Sequence, residues 1–232
     1  MSRDLAVVGL GRMAYEDALE LQRGLARARI EKSIERDLLL LVEHPPVVTT
    51  GRSFQPEHLP TTPEQLATRG VTLFDVERGG DVTFHGPGQL VGYPIYDLAE
   101  HKRDLHWFLR QIEACLIEAL ASVGIPGTRR AGLTGVWVED RKIASIGIHV
   151  KQWVTWHGFA LNVATDLSYY DLIVPCGIDG VTMTSMRGEL GERAPRDLWG
   201  RALDEVMLAF AETFDQTPQA TRLQDVELLL PH

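Results

Sequence analysis

Two cysteines occur in the 232 residues, and their settings differ. Cys176 stands in Ile173-Val174-Pro175-Cys176-Gly177-Ile178, where a proline before and a glycine after hold a thiol on a tight, non-repetitive turn. A free thiol, with a pKa near ~8.5, is mostly protonated at neutral pH. A neighbouring cation lowers it toward the thiolate that attacks carbonyl carbon. Cys176 therefore reads either as a nucleophile or as a small buried side chain. Cys115 falls on the apolar stripe of a long helix and reads as core, the usual place of a free cysteine.

The cation to set beside such a thiol is offered by Arg141-Lys142-Ile143-Ala144-Ser145-Ile146-Gly147-Ile148-His149-Val150. Alternation along a strand puts Lys142, Ala144, Ile146, Ile148 and Val150 on one face, with Ser145, Gly147 and His149 on the other. A lysine heading a strand is either a solvated edge residue or, if buried, one whose charged form is disfavoured and which exchanges protons near neutrality. A third segment, Glu77-Arg78-Gly79-Gly80-Asp81-Val82-Thr83-Phe84-His85-Gly86-Pro87-Gly88-Gln89-Leu90, is rich enough in glycine for its backbone N–H groups to approach a ligand. It has neither the spacing of a phosphate loop nor that of a dinucleotide site. His85, His149 and His157 read as structural histidines or, alternatively, as bases for Cys176.

Around these residues the apolar periodicity predicts a strand over 4–9, a helix over 13–32, strands at Leu38–Val42 and Val47–Thr50, and a short helix at 63–69. A helix over 101–123 ends at Gly124 and Pro126. Three strands joined by short turns, Val136–Val138, Lys142–Val150 and Trp153–Val163, form an antiparallel meander. A last helix spans Pro195–Phe214. The sum is an α/β chain of the α+β type, with a mixed, mostly antiparallel sheet and flanking helices. Residues 1–217 make one domain, and 218–232 a loosely held tail.

A hydrophobic content of 44% with 24% charged residues is that of a globular protein, and a net charge of −9 argues against nonspecific nucleic-acid binding. Two distant cysteines support neither a disulfide framework nor a zinc site, and no metal is expected. The first residues are too short in apolar content for a signal peptide, and no run is long enough to span a bilayer. A cytoplasmic location follows as the expectation.

Taken together, Arg78-Gly79-Gly80 with Thr83-x-His85-Gly86-Pro87-Gly88-Gln89, then Gly135-Val136-Trp137, Lys142-Ile143-Ala144-Ser145-Ile146-Gly147, Trp156-His157-Gly158-Phe159-Ala160-Leu161-Asn162-Val163 and Pro175-Cys176-Gly177-Ile178 resemble the octanoyl-[acyl-carrier-protein]:protein N-octanoyltransferases, or lipoyl(octanoyl) transferases. The likeness covers most of residues 40–190, in order. It implies the biotin/lipoate protein-ligase catalytic fold and a Cys/Lys dyad of Cys176 and Lys142. Substrate contacts would come from Arg78, Gly79, Gly80, Asp81, Val82, Thr83, Phe84 and His85, from Ser145, Ile146 and Gly147, and from Gly158, Phe159 and Ala160. Asp81 and Phe84 depart from the expected motif and bear on the details of acyl recognition.

The reaction so implied moves octanoate from octanoyl-acyl-carrier protein to Cys176 as a thioester, then to a lysine of a lipoyl domain. It uses no cofactor and no ATP, since a thioester exchanges for a thioester at nearly equal energy and aminolysis runs downhill. Gly147, Gly158, Ile146, Ile148, Phe159 and Leu161 would line the acyl slot. The partners implied are the acyl carrier protein, the lipoyl domains of 2-oxoacid dehydrogenase complexes and the glycine cleavage H protein, with no nucleic acid or membrane and with the chain a monomer. An acidic carrier would meet a local basic surface among Arg129, Arg130, Arg141, Lys151, Arg187, Arg193 and Arg196. The alternatives are an ATP-dependent lipoate–protein ligase of the same fold, a cysteine hydrolase, and a noncatalytic acyl-binding module.

Overall fold

The run Leu38–Val42 serves two cores at once. Leu39 and Leu41 enter one hydrophobic cluster, and Leu38, Leu40 and Val42 enter another. A strand covered on both faces is apolar throughout, which is why this one reads as an unbroken run. In the computed structural model, which describes residues 3–177 and 180–230 apart from the side chain of Cys176, it is the core of β2 (Asp37–Glu43).

The chain opens with β1 (Arg3–Arg12) and α1 (Tyr15–Ile30), whose Ala18, Leu21, Leu25 and Ala28 face inward as their spacing predicts. After β2 come β3 (Val47–Thr50), α2 (Pro63–Thr68), β4 (Thr72–Asp75), β5 (Val82–His85) and β6 (Gln89–Ile95). A capping box between Thr62 and Gln65 starts α2. Next is α3 (Leu105–Ala121), which begins where the Asp104 carboxylate accepts the Trp107 N–H, four residues later than periodicity alone suggests. The meander follows as β7 (Thr128–Arg130), β8 (Leu133–Val138), β9 (Arg141–Lys151) and β10 (Val154–Asn162). The chain closes with β11 (Thr182–Met183), α4 (Met186–Leu190), α5 (Leu198–Thr213), β12 (Gln216–Ala220) and α6 (Leu223–Glu227).

The large sheet runs β12-β1-β2-β6-β10-β9-β8-β7, with β11 beside β9. Its β12, β1 and β2 are parallel, and from β2 through β7 each neighbour is antiparallel. Helices α3 and α5 cover one face through Phe108, Ile112, Leu116, Val206 and Phe210. Helix α1 covers the other through Ala18, Leu21 and Leu25. A small second sheet, β4-β3-β5, stands beside α1.

The tail is not loose. Strand β12 crosses the boundary drawn at 217/218 and pairs with β1 from Gln216 to Ala220, and Val226 of α6 is fully buried against the α1 core. A five-residue strand containing Pro218 carries no apolar alternation, so only its pairing with β1 reveals it. Among the described residues, no helix is long and apolar enough to cross a membrane.

Candidate active site

Lys142 does not share a face with Ala144 and Ile148, as strict alternation expects. Val136 and Trp137 of β8 pair with Ala144 and Lys142 of β9, so Ile143 is an extra residue and β9 bulges there. Ala144 and Ile148 pack into the core under α3 and α5, while Lys142 joins Ser145 and Gly147 on the opposite side. Lys142 is 1% exposed, and its Nζ lies 5.4 Å from the centroid of the Trp137 ring. The bulge is what aims this lysine.

It aims into a cavity of about 220 Å³ between β9 and β10 on one side and the Arg78–His85 segment on the other. That is small beside the ~300–1,000 Å³ of drug-sized pockets and suits a slender chain. The segment is pinned to the sheet where the Gly79 N–H donates to the Ile148 carbonyl at 2.9 Å. The Arg78 guanidinium is held against Thr49, donating to its carbonyl at 2.7 Å and to its hydroxyl at 2.9 Å and 3.1 Å. Arg78, Gly79, Gly80, Asp81, Val82, Thr83, His85, Ser145, Ile146, Gly147, Gly158, Phe159 and Ala160 all reach the wall.

Phe84 does not. Its ring stacks on Tyr169 at 4.7 Å in a separate small core that Val82 also joins. Ile148 and Leu161, expected in the slot, lie in the core under α3 and α5. The slot is thus walled largely by small residues and backbone, with Tyr15, Tyr93 and His157 adding polar rings.

Most of those rings are neutral at neutral pH. Burial pushes Tyr15 up to about 12 and holds Tyr93 well above the usual phenol range. Burial, with His44 beside it, takes His85 down to about 3, and burial takes His44 down to about 4. The two imidazoles are tied in place, His85 Nδ1 to the Gln89 amide oxygen at 2.8 Å and His44 Nε2 to the Tyr93 hydroxyl at 2.7 Å. Just outside, Glu77 is held below the usual carboxylate range by His157 and, against its own burial, by the Arg23 guanidinium and the Trp156 indole.

Two such histidines carry a pH cost. In the unfolded chain they bind protons near pH 6.5, whereas in the folded protein they stay neutral down to about 4 and about 3. Stability therefore falls as pH drops from 6.5 toward 4, by at most ~1.4 kcal/mol per pH unit per histidine. Replacing His85 with Gln is expected to flatten that limb in urea titrations run from pH 7 to 5. An acid limb parallel to that of the wild type would count against this cause.

The turn Pro175–Gly177 comes to the rim of the same cavity: the Gly177 backbone packs against Asp81, a wall residue. The Cys176 side chain and Ile178 lie outside the described residues. Beyond the turn the chain returns to Lys142, where β11 pairs with Arg141 and Lys142 and the Thr184 N–H donates to the Lys142 carbonyl at 2.9 Å. The loop between β10 and β11 is anchored by a buried network. The Gln89 amide donates to Asn162 Oδ1 and the Tyr170 hydroxyl, each at 3.0 Å, and the Asn162 amide donates to the Thr184 carbonyl at 3.0 Å. Gln89 and Asn162 sit in the quoted motifs, and this is what they do in the fold. Cys115 is fully buried in α3, its thiol pushed up to about 12 by burial.

The model of the lipoyl protein ligase A/B catalytic domain matches residues 14–214. This chain belongs to that family. Within the lipoyl protein ligase A/B family it is 47% identical to an octanoyltransferase of Solibacter usitatus, over 98% of this chain and 96% of the relative. It is 46% identical to an octanoyltransferase of Chloroflexus aggregans, over 93% and 97% of the two chains. A solved lipoate-protein ligase A bound with ATP shares the fold, with a TM-score of 0.74 at 14% identity over 99% of this chain and 92% of that one. At this kinship the chain is an acyltransferase, and its activity is octanoyl transfer in protein lipoylation.

For this member of the family, sequence reasoning missed Tyr15, Tyr93, Leu133 and Thr134, which also line the cavity. Tyr15 opens α1 and Tyr93 lies in β6, whose residues are all buried. Neither sits next to a recognisable motif. The one local signal was a tyrosine among otherwise apolar inward positions, since a buried phenol usually serves a polar partner.

Proposed function

We propose that the octanoyl group comes from octanoyl-acyl-carrier protein, rests on Cys176 as a thioester, and passes to a lysine amine of a lipoyl domain. The observation that carries this reading is the buried Lys142, turned by the β9 bulge into an acyl-sized cavity whose rim meets the Cys176 turn through Asp81. Lys142 Nζ takes the Cys176 Sγ proton as sulfur attacks the thioester carbonyl. The tetrahedral adduct collapses, the bond to the carrier thiol breaks, and Lys142 returns the proton to that thiol. In the second half the incoming amine attacks the acyl-Cys carbonyl and Cys176 leaves, regaining a proton through Lys142. General acid–base steps of this kind contribute about 10²–10⁴-fold.

A histidine base for Cys176 is poorly supported. His85 is held neutral down to about 3 and bonded to Gln89, so it takes up protons too weakly for the task. His149 Nδ1–H donates to the Glu77 carbonyl at 3.0 Å, and the ring packs on Trp156. The carrier surface is also narrower than the charges suggest. Arg129 pairs with buried Glu113, Arg130 with Asp140, and Arg141 with Glu139 and Glu189, so these arginines already serve the fold.

The ligase alternative predicts a different donor. Purified protein is expected to octanoylate a lipoyl domain from octanoyl-acyl-carrier protein without nucleotide, and to make no product from octanoic acid with ATP and magnesium. Product in the second arm alone would establish the ligase reading instead.

A further inference from the structure

We propose that His58 and Asp81 form a positioning pair that seats the turn carrying Cys176, an inference that rests on the acyl-Cys reading above. Asp81 is one of the two residues that depart from the expected motif, and the structure gives it a partner far from that motif. His58 Nδ1 lies 2.6 Å from Asp81 Oδ2. The other carboxylate oxygen, Oδ1, accepts the Val82 N–H at 2.7 Å and the Gln55 N–H at 3.4 Å. Asp81 is thus locked at the cavity wall, only 8% exposed.

The pair stands directly against the turn. Gly177 has φ +64°, and a Cβ placed there would lie 2.6 Å from Asp81 Oδ2 and 2.8 Å from His58 Cε1. The residue after Cys176 therefore has to be glycine, both for its backbone angle and because His58 and Asp81 occupy the space a side chain would need. The same stretch grips the turn from its other end. The Val174 N–H donates to the His58 carbonyl at 2.8 Å, and the Thr61 hydroxyl donates to the Leu172 carbonyl at 2.8 Å.

A three-residue turn, closed among the described residues by a bond from the Gly177 N–H to the Val174 carbonyl at 3.1 Å, is too short to hold its own position. Its place relative to Lys142 must be imposed from outside, and residues 55–61 impose it. His58 and Asp81 need not touch the substrate to matter, because a misplacement of about 1 Å costs up to about 10²-fold in rate.

The test is steady-state octanoyl transfer by His58→Ala, Asp81→Ala, the double variant and Asp81→Asn, alongside iodoacetamide labelling of the two cysteines. Each alanine variant is expected to lower kcat about 10-fold with KM for octanoyl-acyl-carrier protein little changed. The double variant is expected to be no worse than either single one, because both remove the same brace. Asp81→Asn keeps an oxygen for the Val82 N–H and offers its amide N–H to His58 Nδ1, which accepts in the Nε2–H tautomer, and is expected to recover most of the rate. Cys115 stays unlabelled throughout.

Unchanged kcat, multiplicative losses in the double variant, or a rise in KM alone would overturn the pair. So would rate loss accompanied by labelling of Cys115, which would mean that His58 and Asp81 hold the whole fold rather than the turn. If wild-type protein transfers octanoate without an adduct on Cys176, the acyl-Cys reading itself fails. A wild-type adduct with unaffected variants sinks only the pair.

Discussion

Replacement of Lys142 by methionine is expected to reduce octanoyl transfer by about 10²–10⁴-fold while the protein stays folded. Methionine keeps nearly the same length and fills the same space beside Trp137, but it can neither accept the Cys176 proton nor return one to the leaving thiol. The lysine is 1% exposed, so the substitution replaces a buried amine by an apolar chain of similar length. The loss should appear in kcat and kcat/KM together, the mark of a group that acts in the transition state. Far-UV circular dichroism and the melting curve check that the fold survives. Full activity in a folded Lys142→Met protein would remove the lysine from the mechanism.

The second large effect is expected from Gly135→Ala, a change that removes no proposed catalytic group. Gly135 has φ +133°, a conformation that side chains rarely adopt. A Cβ there would stand 2.6 Å from the Ala144 carbonyl oxygen and 2.8 Å from Lys142 Cε. The first neighbour is backbone in the bulged strand and does not yield; the second is near the end of the lysine side chain and can be displaced. Gly135 is also held from behind, its N–H donating to Glu113 Oε1 at 3.1 Å, with Glu113 fully buried in α3. Overpacking of this kind costs about 1–3 kcal/mol, to be seen as a lower urea midpoint. Relief is available only by pushing Lys142 out of line, so kcat is expected to fall by about 10-fold or more. A destabilised variant with wild-type kcat would show that the bulge does not set the position of the lysine.

These two residues also mark where the sequence was legible and where it was not. The helices and the meander could be read because their apolar residues recur at the period of the element they form, as in α1 and α3. The wall of the cavity was legible because glycine-rich motifs placed Arg78–His85, Ser145–Gly147 and Gly158–Ala160 together by resemblance. What failed was side-chain direction. A period of two carries Lys142 to the wrong face, since the extra residue Ile143 is visible only once Val136 and Trp137 are paired across from it. The same limit hid Phe84, which alternates away from the cavity between Thr83 and His85, and β12, whose partner β1 lies at the far end of the chain. Pairing between distant segments leaves no periodic trace in either segment.

The account turns on a covalent octanoyl group at one sulfur, and intact-mass spectrometry reads it directly. Protein mixed with octanoyl-acyl-carrier protein in the absence of any lipoyl domain is expected to gain one octanoyl group that hydroxylamine removes. Cys176→Ala is expected to gain none, and Lys142→Met to gain it only slowly. An adduct that persists in Cys176→Ala, or continued transfer by that variant, would contradict the account.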